Sequence, residues 1–165
     1  MFGNTDAVAH AIAAGLGGAP CVPVASKPPV GPDIDLLVVG GPTHAFSMSR
    51  ASTRSDAHRQ SGGPDDPGEP GIREWIGGLG GTSVRFATFD TRVSRPRVPG
   101  SAAKKAAKAL TGAGARQAAE PMTFWVDGTP GPIQDGELDR AREWGATLAV
   151  AVRQTPPARG RSLRT

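Results

Sequence analysis

The segment IDLLVVGG, residues 34–41, is the strongest strand signal in the sequence. After Asp35 it is a continuous apolar run that ends in two glycines. A strand inside a parallel sheet is covered on both faces, so its side chains are apolar without alternation. We therefore predict that residues 34–41 form a buried strand of a parallel sheet.

Helix and strand patterns alternate along the rest of the chain. A first helix has Asn4 or Thr5 as its N-cap and stops at Gly17 and Gly18. Further strands are predicted at 20–26, 83–90 and 122–128, and further helices at 71–79, 99–110 and 136–152. The order α-β-β-α-β-α-β-α indicates βαβ units, hence an α/β fold with a doubly wound parallel sheet.

Apolar spacing predicts which side of each helix is buried. The expected core positions are Val8, Ile12, Leu16, Ile72, Trp75, Ile76, Leu79, Ala103, Ala106, Ala107, Leu110, Leu138, Ala141, Gly145, Leu148 and Val152, with Trp125, Trp144 and Cys21 also buried. Lys104 and Lys108 are expected to face water.

Length and charge limit the possible classes of protein. With 165 residues the chain is expected to form one domain, residues 1–152, followed by a disordered basic tail, residues 153–165. The net charge is +4 and the isoelectric point is about 10.0. The basic residues are scattered and no aromatic residues lie between those of the tail. We therefore expect a solvated surface and no nucleic-acid partner.

Several other classes are disfavoured by what the sequence lacks. It has no apolar run of about 18 residues that could span a membrane and no secretory leader pattern. The single Cys21 excludes an internal disulfide framework and a zinc site built from several cysteines. The three histidines have no metal-ligand spacing, and no serine lies in a nucleophile-elbow pattern. We expect a cytoplasmic protein without a metal.

Three turns are candidates for a ligand site. In an open α/β sheet, ligands bind beyond the carboxyl ends of the strands. MFGNT (1–5) would be the first such turn, GGPTHAFSMSR (40–50) the second and FDTRV (89–93) the third. The first turn opens a helix, and its free N–H groups suit a phosphate. The other two offer aromatic rings and polar side chains, so the three could line one pocket.

These segments, MFGNT, DLLVVGGPTHAF and FATFDTRV in this order, resemble the flavodoxin-like proteins, in particular a divergent group common in high-G+C bacteria. The resemblance covers about residues 1–150. It implies a three-layer doubly wound sheet of strand order 2-1-3-4-5 with FMN at its switch point. This chain resembles the family without its first strand, which would precede Met1.

The resemblance also implies the residues that hold FMN. Gly3, Asn4 and Thr5 would bind its phosphate. One side of the isoalloxazine would contact Pro42, Thr43, His44, Ala45 and Phe46. The other side would contact Phe89, Asp90, Thr91 and Arg92.

Two features depart from the family pattern. Flavodoxins usually place a Tyr or Trp against the flavin, whereas this chain has no Tyr and carries His44 at that place. Electron-carrier flavodoxins are acidic around the flavin, and this chain is basic. The family's model of docking to a basic partner therefore cannot simply be transferred to this chain.

Three functions remain open from the sequence. The first is an FMN-binding electron carrier with a redox partner protein. The second is an FMN-dependent NAD(P)H reductase acting on a quinone-like acceptor, with residues 47–70 shaping its substrate site. The third is a chain without the first strand that binds no flavin. The resemblance favours a protein that starts upstream of Met1 over a genuine loss of that strand.

Overall fold

The computed structural model describes residues 3–43, 48, 70–95, 99–128 and 130–154. Its elements in chain order are α1 (Asn4–Gly15), β1 (Leu37–Pro42), α2 (Ile72–Gly78), β2 (Arg85–Val93), α3 (Ala102–Gly112), β3 (Arg116–Gln117), β4 (Met122–Val126) and α4 (Glu137–Gln154), with a short 3₁₀ helix (Val24–Ser26) before β1. Strands and helices alternate as an α/β fold requires, which confirms the predicted class, and the two-residue strand β3 was not predicted.

The sheet is built around β2. β1 pairs with β2 in parallel on one side, with Gly40 opposite Phe89. β3 and β4 pair with β2 in parallel on the other side, one after the other along its length, with Arg92 opposite Trp125. The carboxyl ends of β1, β2 and β4 therefore meet at one edge of the sheet, as the α/β prediction requires.

Helices cover both faces of this sheet. On one face, α2 and α3 pack on side chains of β1 and β2, among them the fully buried Phe86. On the other face, α1 and α4 pack around Phe89 and Phe124, whose ring centroids are 6.0 Å apart in an edge-to-face arrangement. The molecule thus has the three-layer architecture expected for its class.

Two glycines set how closely α1 and α4 pack. A Cβ on Gly15 would overlap the carbonyl oxygen of Arg142, and a Cβ on Gly145 would overlap that of Ile12. Only glycine permits this backbone contact between the helices. The prediction that Gly145 faces the core is confirmed by this contact.

The prediction of a strand at 20–26 is wrong. Residues 20–23 have no regular structure, and Val24–Ser26 form the 3₁₀ helix. Prolines at 20, 23, 28 and 29 explain the difference, because proline has a fixed φ and no N–H to donate to a strand ladder.

Other differences are smaller. The strand predicted to end at residue 90 continues to Val93, so the whole of the predicted third turn, residues 89–93, is strand. The N-cap of α1 is Gly3, at φ +70°, and neither Asn4 nor Thr5. Cys21 is exposed, and Leu138, the second residue of α4, is 39% exposed. Trp125 is half-buried at the carboxyl edge.

The remaining core predictions hold where the structure describes them. Val8, Ile12, Trp75, Ile76, Ala103, Ala106, Ala107, Leu110, Ala141, Trp144 and Leu148 are buried, whereas Leu16, Ile72, Leu79 and Val152 are half-buried. Lys104 and Lys108 are exposed, as predicted. The last helix continues through residues 153 and 154, and the rest of the predicted tail lies outside the described residues. None of the helices in the described ranges is long and apolar enough to cross a membrane.

Candidate functional site

The first and third predicted turns meet at the carboxyl edge of the sheet. Thr5 lies in the first turn of α1, and Thr91 lies near the end of β2. Their hydroxyl oxygens are 2.7 Å apart, and either hydroxyl can be the donor. Because 86 positions separate them in the chain, this contact is a product of the tertiary fold.

The second predicted turn joins the same place. The backbone N–H of Thr43, just beyond β1, donates to the carbonyl oxygen of Thr91 at 3.0 Å. The contact extends the parallel ladder between β1 and β2 by one residue. The three segments that the sequence placed around one ligand are therefore adjacent.

The start of α1 has the features of an anion site. Gly3 supplies no side-chain hydrogen bond to the N–H groups of the first turn. Those N–H groups and the positive end of the helix dipole therefore remain to stabilise a negative charge. A Cβ on Gly131 would lie 2.9 Å from Oδ1 of Asn4, so the loop after β4 borders the same helix end. Asp6 is the one acidic residue of that turn, and it is exposed.

Asp90 has a structural position that the sequence did not indicate. Its side chain is fully buried, on the face of β2 that α3 covers. Oδ2 accepts hydrogen bonds from the Thr43 hydroxyl at 2.9 Å, the Ser101 hydroxyl at 2.6 Å and the Ala103 N–H at 3.1 Å. Oδ1 accepts from the Thr123 hydroxyl at 2.7 Å. The carboxylate thus connects three strands to the start of α3 and is not exposed to a ligand.

Phe89 is turned into the core, away from a ligand ring, whereas Arg92 contacts a side chain of the neighbouring strand. Phe89 is 3% exposed, and its ring packs over Gly40 in the core beside α1 and α4. The guanidinium of Arg92 lies over the ring of Trp125, 5.6 Å from its centroid. Pro42 ends β1 and is half-buried at the edge. His44, Ala45 and Phe46 lie outside the described residues.

Sequence reasoning missed three residues of this region. Ser101 is the N-cap of α3, and its hydroxyl accepts the N–H of Lys104 at 3.1 Å. A serine before an Ala-rich helical pattern is a recognisable cap, so this residue could have been found. Thr123 and Trp125 carried no such signal, because their roles depend on β4 lying beside β2.

The residues present fit the phosphate end of FMN better than its ring. The N–H groups of the first turn of α1, which Gly3 does not cap with a side chain, are donors suited to a phosphate. The hydrogen-bonded Thr5–Thr91 pair leaves one further hydroxyl hydrogen that can donate to it. Phe89 and Asp90 are buried and do not offer a ring contact. Within the described ranges, no group of His, Cys, Asp and Glu could hold a metal ion.

Comparison with solved structures supports the fold. The chain is similar to a flavodoxin from the domain Archaea, with a TM-score of 0.55, 16% identity and 92% of each chain covered. It is also similar to the flavodoxin, WrbA-like protein from Agrobacterium tumefaciens, with a TM-score of 0.54, 16% identity and 94% of each chain covered. No protein-family model and no curated protein sequence matches the chain. The protein therefore has a flavodoxin-like fold, which confirms the resemblance at the level of architecture.

Proposed function

We propose that this protein binds FMN and transfers electrons to a redox partner protein. The observation that carries the proposal is the convergence of Thr5, Thr43 and Thr91 at one edge of the sheet. These residues come from the three segments that carried the resemblance to flavodoxin-like proteins. Open α/β sheets bind ligands at this edge.

The phosphate of FMN is assigned to the start of α1. Gly3, Asn4 and Thr5 would surround it, with the Thr91 hydroxyl holding the Thr5 side chain from β2. The helix dipole and uncapped N–H groups supply the attraction, so no lysine is needed.

The flavin ring is assigned to the side of β1. Pro42 and Thr43 would border it together with His44, Ala45 and Phe46. Phe89 and Asp90 would hold β2 in place from within the protein and make no contact with the ring. Bound FMN would supply the redox chemistry, while the protein binds and orients it.

The test is reconstitution of purified protein with FMN. We expect saturable quenching of FMN fluorescence, and much weaker binding of riboflavin, which has no phosphate. A folded protein that leaves FMN fluorescence unchanged would refute the proposal.

Two glycine variants locate the phosphate. Gly3 and Gly17 lie beside opposite ends of α1, both have positive φ, and neither has an atom within 4 Å of an added Cβ. Gly3→Ala and Gly17→Ala therefore introduce similar backbone strain. We expect only Gly3→Ala, and likewise Thr5→Val, to weaken FMN binding; equal effects of the two glycine variants would contradict the assignment.

The reductase alternative differs in its electron donor. Steady oxidation of NAD(P)H by the purified FMN-loaded protein with a quinone would indicate an enzyme. Flavin reduction only after a separate reductase is added would indicate the carrier that we propose. A single unpaired cysteine suits a reducing compartment, and we place the protein in the cytoplasm on that basis.

A further inference from the structure

A second groove lies at the carboxyl edge, outside the proposed FMN site. It is an open groove of about 370 Å³ lined by Ser94, Arg95, Trp125 and Gln134. Ser94 and Arg95 follow β2, Trp125 belongs to β4, and Gln134 lies between β4 and α4. None of these four residues belongs to the segments assigned to FMN.

The groove and the start of α1, where the FMN phosphate is assigned, lie on opposite faces of β2. Side chains alternate between the faces of a strand. Thr91 points toward α1, as its hydrogen bond to Thr5 shows. Asp90 of β2 and Thr123 of β4 share the face covered by α3. Two residues further along the same strands, Arg92 and Trp125 lie on that face too, past the start of α3. The indole of Trp125 is therefore presented on the side of the sheet away from α1.

Hydrogen bonds fix the polar groups of this groove. Gln134 Nε2 donates to the Ser94 hydroxyl oxygen at 2.9 Å and to Asp127 Oδ1 at 2.7 Å. Both amide hydrogens are thereby used, which leaves the Gln134 Oε1 as a hydrogen-bond acceptor. Since Ser94 Oγ accepts from Gln134, its own hydrogen is directed elsewhere and can donate to a ligand.

The charges at its two ends favour one orientation of a ligand in the groove. Arg95 is exposed, and no carboxylate in the described part of the chain pairs with it. Asp127 lies beside Gln134 and disfavours an anion at that end. A ligand anion is therefore drawn to Arg95, while an uncharged polar edge is favoured at Gln134.

We propose that this groove binds an adenosine phosphate. The adenine ring would stack on the face of the Trp125 indole that Arg92 does not cover. Its amino group would donate to Gln134 Oε1, and the Ser94 hydroxyl would donate to a neighbouring ring nitrogen. The phosphate would pair with Arg95. Adenine places an amino donor next to a nitrogen acceptor, which matches this donor–acceptor pair. The volume lies within the range of small-molecule sites.

The test is a titration of the FMN-free protein with AMP, followed by tryptophan fluorescence. Trp75 and Trp144 are only 7% and 8% exposed, so quenching by a ligand reports Trp125. We expect saturable quenching by AMP, with adenosine and GMP binding about tenfold more weakly. Absence of saturable quenching at millimolar AMP, or equal binding of adenosine, would overturn the proposal.

Two arginine variants provide the matched comparison. Arg95→Gln should weaken AMP binding about tenfold and leave adenosine binding unchanged. Arg116→Gln removes the same charge from an exposed position at the opposite end of β2. An equal loss in both variants would show non-specific attraction and overturn the assignment. Both side chains are exposed, and a far-ultraviolet circular dichroism spectrum checks that each variant is folded.

Two further titrations identify which molecule supplies the adenosine phosphate and which site binds it. Binding of NADH at least as tight as that of AMP would identify the adenosine half of a dinucleotide as the ligand, and weaker binding would identify a free nucleotide. Saturating FMN should leave AMP affinity unchanged; competition between them would place AMP in the FMN site and overturn the proposal. Because the titration uses FMN-free protein, its result does not depend on whether FMN binds.

Discussion

Thr88 and Thr91 are both buried in β2, but only one of their hydroxyls has a partner. Thr91 is 5% exposed and contacts Thr5. Thr88 is fully buried, and its hydroxyl has no hydrogen-bond partner. A buried unpaired hydroxyl costs free energy, whereas a paired one is stabilising. The same substitution should therefore have opposite effects at these two positions.

We expect Thr88→Val to raise the free energy of unfolding by about 1 kcal/mol, because valine keeps the shape and removes the unpaired hydroxyl. Thr91→Val should lower it by about 1 kcal/mol through loss of the bond to Thr5. Urea denaturation midpoints at an unchanged slope would measure both effects. A loss of stability in Thr88→Val equal to that in Thr91→Val would contradict this assignment.

Cys21 gives a second prediction at the scale of one residue. Its partial desolvation and, secondarily, the negative charge of Asp6 raise the pKa of the thiol. A raised pKa means less thiolate at a given pH, so alkylation at pH 8 should be slower than that of an unfolded-chain cysteine. Asp6→Asn should speed it and move the pH midpoint of the rate downward. With one cysteine in the chain, the rate of iodoacetamide labelling is unambiguous. An unchanged midpoint would rule out the contribution of Asp6.

At the scale of elements, Asp90 connects β1, β2, β4 and α3. Its four donors come from Thr43, Ser101, Ala103 and Thr123. Asp90→Ala would leave buried donors without an acceptor, and we expect a loss of about 3 kcal/mol or more in the free energy of unfolding. Asp90→Asn retains one oxygen and should lose less. Equal losses for the two variants, measured by denaturant unfolding, would contradict this expectation, because Asn keeps the volume and one acceptor oxygen of Asp90 and would then recover none of the lost stability.

Close packing of α1 on α4 makes a separate prediction. Gly145→Ala would place a Cβ against the backbone carbonyl of Ile12, which cannot move as a side chain can. We expect a loss of about 2–3 kcal/mol from this overlap. Gly77→Ala, at an exposed position of α2 with no atom within 4 Å of the new Cβ, should instead gain about 0.5–1 kcal/mol. Thermal unfolding of both variants tests this, and a neutral Gly145→Ala would mean that the helices separate at little cost.

The existence of most helices and strands was more predictable from the sequence than their end points. Strand β1 and helices α2, α3 and α4 follow from apolar runs and helical spacing, which are local signals. The strand expected at 20–26 failed because its prolines outweigh its apolar residues. The extension of β2 to Val93 had no local signal, because pairing with β4 holds residues 91–93 in the sheet.

At the scale of the whole molecule, the proposed FMN site joins α1 to the edge of the sheet. A ligand that binds only the folded state stabilises it by about 2.7 kcal/mol when its concentration is 100 times its dissociation constant. For a chain of this size we expect the melting temperature to rise by roughly 5–10 °C. Riboflavin at the same concentration should give a smaller rise. Calorimetry of Thr5→Val should show a reduced shift with FMN, and a full shift in that variant would contradict the assignment of the phosphate.

The sequence by itself determined the α/β class, the parallel sheet and the edge at which the three candidate segments meet, because hydrophobic periodicity and the succession of elements along the chain are local signals. Only the tertiary structure decided which contacts the described residues of those segments make. Thr5 and Thr91 share a hydrogen bond, Asp90 is buried among four donors, and Phe89 belongs to the core. The groove beside Trp125 likewise exists only because β2, β4 and the segment before α4 come together. Such contacts join residues far apart in the chain, and no local pattern specifies them.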